Sequence, residues 1–554
     1  MIVTFPWIGF GLDLSFRFDQ FGIFIASSIA AFTLLIGLYS FVFMKGNRAS
    51  GQFLAYFFLN CFFAIGAVLA NNLILLLFFW EALLLTMFGM IMVGGRDSSK
   101  TAIKAFVIIG ITDLCMMVGI ALTGHLAGTF TMSAISISTA GLGGLAFIML
   151  MIGALAKAGA MPFHTWIPDA AADAPLPFMA LIPGALEKLI GIYFLTRVSL
   201  ELFKIEPASW ASLLLMIVGA VTIIFAVLMA LIQKDFKKLL SYHAISQVGY
   251  MVLGIGTALP VGIIGGLFHM INNALYKSCL FLTGGAVEKE AGTTDLTKLG
   301  GLAWKMPVTF ACFVVAALSI SGVPPFNGFF SKELVYDGAL ERGWIFYAVA
   351  VAGSFFTAAS FLKLGHAAFL GKSDTKSKEA PWSMLLPMII IAAVCILFGV
   401  YNTLPIDRII APILGGHVLE GHKFSGLPAN MFLVLMTFIV LAAAVLNHLY
   451  GVKKSGKAIG AADHIHYAPV MHGLYDRAEK KLFDPYEIGL KLANVAARIL
   501  YGLDRFVDWF YEVFTVRITL LFTSLIKWAH SGNISNYVIW SLVGSIVVLV
   551  MAWR

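Results

Sequence analysis

Seven ionisable side chains stand inside long apolar runs: Glu81, Lys157, Lys188, His269, Lys277, Lys332 and Lys363. A charge at the centre of a bilayer costs at least about 2.5–3.5 kcal/mol, so this many are hard to sustain without function. Burial favours a neutral amine, whereas a nearby carboxylate favours the ammonium. A lysine paired with Glu81 can therefore be switched by moving the carboxylate or by wetting the site. Histidine, with an ordinary pKa of about 6.5, can relay a proton between such sites. A row of lysines and histidines across a helix bundle reads as an ion path.

Further polar residues support the row. Glu187 precedes Lys188, Glu333 follows Lys332, and His366 shares a run with Lys363. Asp113 reads either as a partner in the path or as a helix-packing residue, and His243 and His366 either relay or pack. His164 and Asp169 read as a wet vestibule. Lys104, Lys204 and Lys372 lie near the ends of apolar runs, where lysines snorkel to the interface. The loop group Asp463, His464, His466 and His472 reads as solvated, so no metal site is expected. Cys61, Cys115, Cys279, Cys312 and Cys395 each stand alone, without metal, cluster or redox spacing. There is no phosphate-binding glycine loop or dinucleotide fingerprint. No cofactor is expected in this chain, and its driving energy must come from partners.

The elements that position these residues are membrane helices. The 554 residues are 60% hydrophobic and only 12% charged, with mean hydropathy +0.92, whereas soluble domains carry about 25% charged residues. The fold class is an all-α polytopic membrane protein with about fourteen spans. They are expected near 20–44, 51–70, 72–95, 101–125, 140–160, 175–198, 208–232, 238–257, 260–286, 306–338, 344–370, 382–404, 428–450 and 534–553. The first is read as a mature span, lacking the basic start and cleavage site of a signal peptide. Basic residues alternate between loops: one set includes Lys45, Arg48, Arg96, Lys100, Lys234, Lys237, Lys238, Lys289 and Lys453, the other holds only Arg17, Arg197, Lys204, Arg342, Arg408, Lys423 and Arg554. The positive-inside rule then puts both termini outside a prokaryotic cytoplasmic membrane.

Two spans are interrupted, at Pro162 and at Pro324-Pro325. Proline removes a backbone donor, and broken helices in the two halves of a transporter point to its ion path. Lys157 and Lys188 are 31 residues apart, as are Lys332 and Lys363, and an offset of 175 relates the pairs. This suggests duplication of a five-helix unit. The expected divisions are an N-terminal helix (1–50), two repeats (51–200 and 201–372), two further helices (373–451), a linker with a long amphipathic helix (452–533) and a final span (534–554). The amphipathic helix opens at Asp484-Pro485-Tyr486-Glu487, an N-cap pattern. It carries one wet stripe: Asp484, Lys491, Arg498, Arg505 and Glu512. At 1.5 Å per residue it reaches roughly 70 Å, long enough to lie along a membrane face and touch a neighbouring subunit.

The ordered set Trp80-Glu81; Lys104-Ala-Phe with Asp113; Lys157 followed by Pro162-Phe-His-Thr-Trp-Ile-Pro-Asp169; Asp235-Phe-Lys-Lys with Ser246-Gln-Val-Gly-Tyr250; His269 with Lys277; and Gly328-Phe-Phe-Ser-Lys-Glu333 resembles the antiporter-like subunits of respiratory complex I, membrane-bound energy-converting hydrogenases and multisubunit cation/proton antiporters. The long C-terminal helix looks most like the large L-type subunit, whose lateral helix braces its neighbours. The resemblance implies inverted five-helix repeats and a path from the Glu81–Lys157 pair through Lys188, His269 and Lys277 to Lys332. It implies partner membrane subunits, peripheral redox subunits with nickel–iron, iron–sulfur or flavin centres, and protons or Na+ as cargo. The chain departs from the pattern at Pro183 and Asn273, where the family has histidines, and in an early glutamate that leaves no room for the family's first two helices. A subunit of a redox-driven proton pump is the first expectation. A sodium/proton antiporter subunit and a non-conducting bicarbonate-uptake partner are the others.

Overall fold

The computed structural model describes residues 1–7, 12–95, 97–372, 376–414 and 423–553. Arg96 and Arg554, used in the loop-charge pattern, lie outside the described residues. The chain divides into two units, 1–484 and 485–554.

The first unit opens with an antiparallel hairpin, β1 (Ile2–Trp7) and β2 (Leu12–Arg17), absent from the all-helical expectation. Its helices follow as α1 (Gln20–Phe43), α2 (Ser50–Leu69), α3 (Leu73–Met92), α4 (Ser98–Ala127), α5 (Leu142–Ala158), α6 (Trp166–Asp173), α7 (Leu176–Leu202) and α8 (Trp210–Ile232). They continue as α9 (Phe236–Gly256), α10 (Pro260–Ala291), α11 (Pro307–Ser321), α12 (Asn327–Arg342), α13 (Trp344–Leu370), α14 (Trp382–Val400), α15 (Met431–Ser455) and α16 (Pro469–Glu479).

Among the described residues, eleven helices are long and apolar enough to cross a membrane. One of them, Pro485–Ala529, is the long amphipathic helix. Four expected spans are helical yet fall outside that set: α5 and α11 are cut short by the breaks, and α9 and α10 are comparatively polar. The polar ones are central. Every residue of α10 from Val261 to Val287 is buried, packed by α9, α11, α12, α14 and the start of α7. Glycines permit the approach: a Cβ on Gly265 would lie 2.7 Å from the Val335 nitrogen, and one on Gly254 2.6 Å from the Gly262 carbonyl. Small residues that let backbones meet are the usual glue between membrane helices.

Both breaks are built alike. α5 ends at Gly159 (φ +80°) and α11 at Gly322 (φ +79°). In each, the glycine and the next residue donate back: Gly159 to Ala156 and Ala160 to Leu155, Gly322 to Ser319 and Val323 to Leu318. This is the glycine-terminated helix end that satisfies orphan carbonyls. The chain then passes Pro162, or Pro324-Pro325, and re-enters helix at Trp166 or Asn327. Three straight helices, a broken helix and one more helix thus occur twice, as α2–α7 and α8–α13. The 175-residue offset does not superpose them. Lys157 closes the helix before the first break, whereas Lys332 lies in the helix after the second. Gly159 and Gly322, the equivalent points, are 163 residues apart.

The second unit is α17 (Pro485–Ala529) followed by α18 (Ile534–Ala552). α17 is continuous for 45 residues and widens into a π turn at Trp509–Phe514. It begins at Pro485, the residue after Asp484, where the sequence placed its start.

Candidate functional site

Lys157, in the last turn of α5, is 4% exposed. Its ammonium faces the Asp113 carboxylate at 3.9 Å, the Trp80 carbonyl at 3.4 Å and the Trp80 ring, whose centroid is 4.8 Å away. The Trp80 indole donates to the other Asp113 oxygen at 2.9 Å. The carboxylate at ion-pair distance is therefore Asp113, not Glu81 as the sequence suggested. Adjacent helical residues point about 100° apart; Trp80 takes the inward face of α3, leaving Glu81 half-buried beside it. Glu81 acts on Lys157 through its charge at longer range.

Lys188 is fully buried on α7, 3.6 Å from Glu187. A π turn at Ile182–Leu186, which includes Pro183, immediately precedes this pair. A Cβ on Gly159 would lie 3.4 Å from the Lys188 nitrogen, so this lysine abuts the first break. Lys277, on α10, donates to the Leu240 carbonyl at 3.1 Å and lies 5.6 Å from the Phe361 ring. His269, two turns earlier, contacts Ser331 at 3.0 Å and Gln247 at 3.1 Å, with the Tyr276 hydroxyl at 3.2 Å. Lys332, on α12, donates to the Ile320 carbonyl and to Ser354, both at 2.8 Å, beneath the Tyr250 ring at 5.2 Å. Among the described residues no carboxylate stands within 4 Å of it, because Glu333 turns to Thr437 on α15.

Charge coupling joins these stations. Lys157 acts on Glu187, Lys188 on Lys277, and Lys332 on His269. His243, left open in the sequence, lies in the field of Lys277, Lys332 and Lys363. Both its ring nitrogens, both oxygens of Glu187, the Lys188 nitrogen and the Asn273 amide are buried without a hydrogen-bond partner among the described residues. Buried polar atoms of this kind are ordinarily served by water. Three lysines rest on aromatic rings, where the π face attracts a cation.

Other expected residues fall differently. Lys363 donates to the carbonyls of Leu231 and Gln233 at the C-terminus of α8, a position where a cation complements the helix dipole. His366 pairs with His448 at 3.0 Å; the partner lies 82 residues on and was not anticipated. Lys204 and Lys372 are exposed, as snorkelling requires, but Lys104 is not. It is 5% exposed and donates to Asp169 at 2.7 Å and Asp484 at 2.6 Å. Burying an ammonium without partners is too costly, and these two carboxylates answer it. Thr165, in the first break, donates to Asp484 at 2.8 Å. His164 and Asp169 do line one cavity, of about 510 Å³, together with Lys104, Tyr242, Lys481 and apolar residues of α8.

At the other end of α7, Arg197 donates to both oxygens of Asp19 at 2.7 and 2.6 Å, and also to Glu201 and Tyr193. Burial alone would raise the Asp19 carboxyl. The Arg197 charge and hydrogen bonds, the Gly22 amide and Arg17 outweigh burial and hold it below its ordinary 3.8.

Paired membrane halves with broken helices and buried lysines define an antiporter-like membrane protein. Residues 70–357 match the family model described as NADH:quinone oxidoreductase/Mrp antiporter, TM. The Na(+)/H(+) antiporter subunit A1 of Staphylococcus haemolyticus is 30% identical over 491 residues, which is 81% of this chain and 60% of that protein. An Na(+)/H(+) antiporter subunit of Alkalihalophilus pseudofirmus is 33% identical over 372 residues, 65% of this chain and 75% of that one. A chain of the membrane-bound sulfane sulfur reductase, an archaeal respiratory membrane complex, shares the fold with a TM-score of 0.68 at 24% identity, covering 100% of this chain and 92% of its own. This chain belongs to the NADH:quinone oxidoreductase/Mrp antiporter transmembrane family. It spans 60% of the length of the Staphylococcus relative.

Proposed function

We propose that this chain is the ion-translocating membrane subunit of a multisubunit complex, and that a redox reaction in partner subunits drives it. The carrying observation is the string of buried charges from Asp113 and Lys157, with half-buried Glu81 beside them, through Glu187, Lys188 and Lys277 to His269 and Lys332. The cargo is the proton: lysine, histidine and carboxylate exchange it directly, whereas a bare ammonium row repels Na+. α17 carries exposed Ile, Leu, Phe and Tyr side chains along its length, which supports a neighbouring membrane subunit as partner. Nickel–iron, iron–sulfur or flavin centres belong to peripheral partners. The membrane is a prokaryotic cytoplasmic membrane, with both termini outside and α17 on the cytoplasmic face, as the loop lysines favour.

A second reading, a subunit of a free-standing cation/proton antiporter, is favoured by the names of both antiporter relatives. Proteoliposomes holding the intact complex separate the two. Under the redox reading, electron transfer builds a proton gradient without Na+, and Lys277→Ala abolishes the gradient. Proton movement that responds only to an imposed Na+ gradient would establish the antiporter instead. An undiminished gradient in Lys277→Ala would remove both readings.

A further inference from the structure

Lys332 differs from Lys157 and Lys188 in what holds it. Lys157 has Asp113 at 3.9 Å and Lys188 has Glu187 at 3.6 Å. Among the described residues Lys332 has only neutral acceptors, the Ile320 carbonyl and the Ser354 hydroxyl, each at 2.8 Å. Ile320 lies in the last turn of α11, where helix termination at the second break leaves carbonyls without intrahelical partners. Ser354, on α13, is not only a ligand of Lys332. Its oxygen lies 2.5 Å from the Tyr336 hydroxyl, and the Tyr250 hydroxyl, which donates to the Ala350 carbonyl at 2.6 Å, is 3.5 Å from it. Ser354 and both tyrosines are buried.

We propose that Ser354 is a positioning residue for Lys332, and that the Ser354–Tyr336 hydroxyl pair accommodates both the charged and the neutral lysine by reversing its hydrogen-bond direction. The assignment rests on the ion-path reading and goes one residue deeper. A serine hydroxyl has one proton to give and two lone pairs to receive. Facing the ammonium, Ser354 accepts from Lys332 and turns its own proton to the Tyr336 oxygen. Facing the amine, it donates to the free lone pair of the Lys332 nitrogen, and Tyr336 donates to the oxygen of Ser354. No side chain has to move, and the Ser354–Lys332 hydrogen bond persists in both states. A carboxylate in this place would accept only and would bind the ammonium far more strongly than the amine. The other titratable neighbours are His269, His243, Glu333 and Tyr250, and none of them is hydrogen-bonded to the Lys332 nitrogen.

The test compares Ser354→Ala, Ser354→Thr, Tyr336→Phe and Lys332→Ala in the reconstituted complex, reading assembly, translocation rate and its pH profile. Loss of one buried partner predicts a fall of about tenfold in Ser354→Ala, with the pH profile displaced by about one unit and assembly intact. Threonine keeps the hydroxyl and should restore at least half the rate and the original profile. Tyr336→Phe should displace the profile while leaving Ser354 in place. A normal rate and profile in Ser354→Ala, with Lys332→Ala inactive, overturns this assignment and spares the ion path. Equal slowing in the alanine and threonine variants with an unmoved profile also overturns it, since packing alone would then explain the loss. A normal rate in Lys332→Ala removes the ion-path reading together with this one.

Discussion

The pairing of Lys157 with Asp113 is open to a double-mutant cycle in stability. At 3.9 Å and an effective dielectric of about 20, two unit charges attract by about 4 kcal/mol. Both groups lie almost wholly out of solvent, so screening removes little of this. Each single variant, Asp113→Asn or Lys157→Met, strands the other charge, and breaking one side of a buried pair costs about 3–5 kcal/mol. Asparagine keeps an acceptor for the Trp80 indole, which isolates the charge from the hydrogen bond at 2.9 Å. The double variant strands nothing and should be more stable than the sum of the singles by about 1–3 kcal/mol. Unfolding of the purified protein in mixed detergent micelles, titrated with a denaturing detergent, gives the four free energies. The parallel cycle of Lys157→Met with Glu81→Gln should show weaker coupling, because Glu81 is outside ion-pair distance. Additive Asp113 and Lys157 effects, within about 0.5 kcal/mol, or stronger coupling to Glu81, would refute the assignment.

Asp484→Ala should remove a carboxylate from Lys104 and release Thr165; limited proteolysis around 480–485 should then accelerate while the membrane helices stay protected. Gly399→Ala would put a methyl 2.0 Å from the Pro325 carbonyl, forcing backbone apart at the second break, and thermal unfolding should show loss of roughly 3 kcal/mol or more. Asp19 is held below 3.8 in the folded protein, so its contribution is present above that pH and lost as pH falls through the lower folded value. Asp19→Asn should therefore flatten the stability profile in acid below about pH 4, measured by detergent unfolding against pH. Glu379 accepts from the Val308 and Thr309 amides and the Thr309 hydroxyl at the start of α11; Glu379→Ala should cost about 0.5–2 kcal/mol, read from the same unfolding curves.

The apolar runs, the two prolines that interrupt them and the lysines inside them were enough to place almost every helix, because depth in a bilayer follows from length and hydropathy alone. Burial of Lys157, Lys188, Lys277 and Lys332 was legible for the same reason. Which helix faces which was not. Sequence spacing fixes the face a residue occupies on its own helix, but Asp113 rather than Glu81 reaches Lys157 through the packing of α3, α4 and α5. The same ignorance of distant contacts hid the Asp484 carboxylate that lets Lys104 stay buried, the His448 partner of His366 and the capping of α8 by Lys363. The 175-residue offset misled because it matched residue types, whereas the structural repeat is carried by Gly159 and Gly322. Ser354 had no signal at all: a serine in an apolar helix is commonplace until Lys332, Tyr250 and Tyr336 are seen around it.

The central claim is that the buried lysines carry ions. Its most direct test is proton uptake by the reconstituted intact complex with Lys157→Ala, Lys188→Ala and Lys332→Ala introduced singly, measured alongside the partner subunits' own reaction. Proton uptake should collapse in each variant while the complex still assembles. Uptake at the normal rate in all three, with the partner reaction unchanged, would contradict the account.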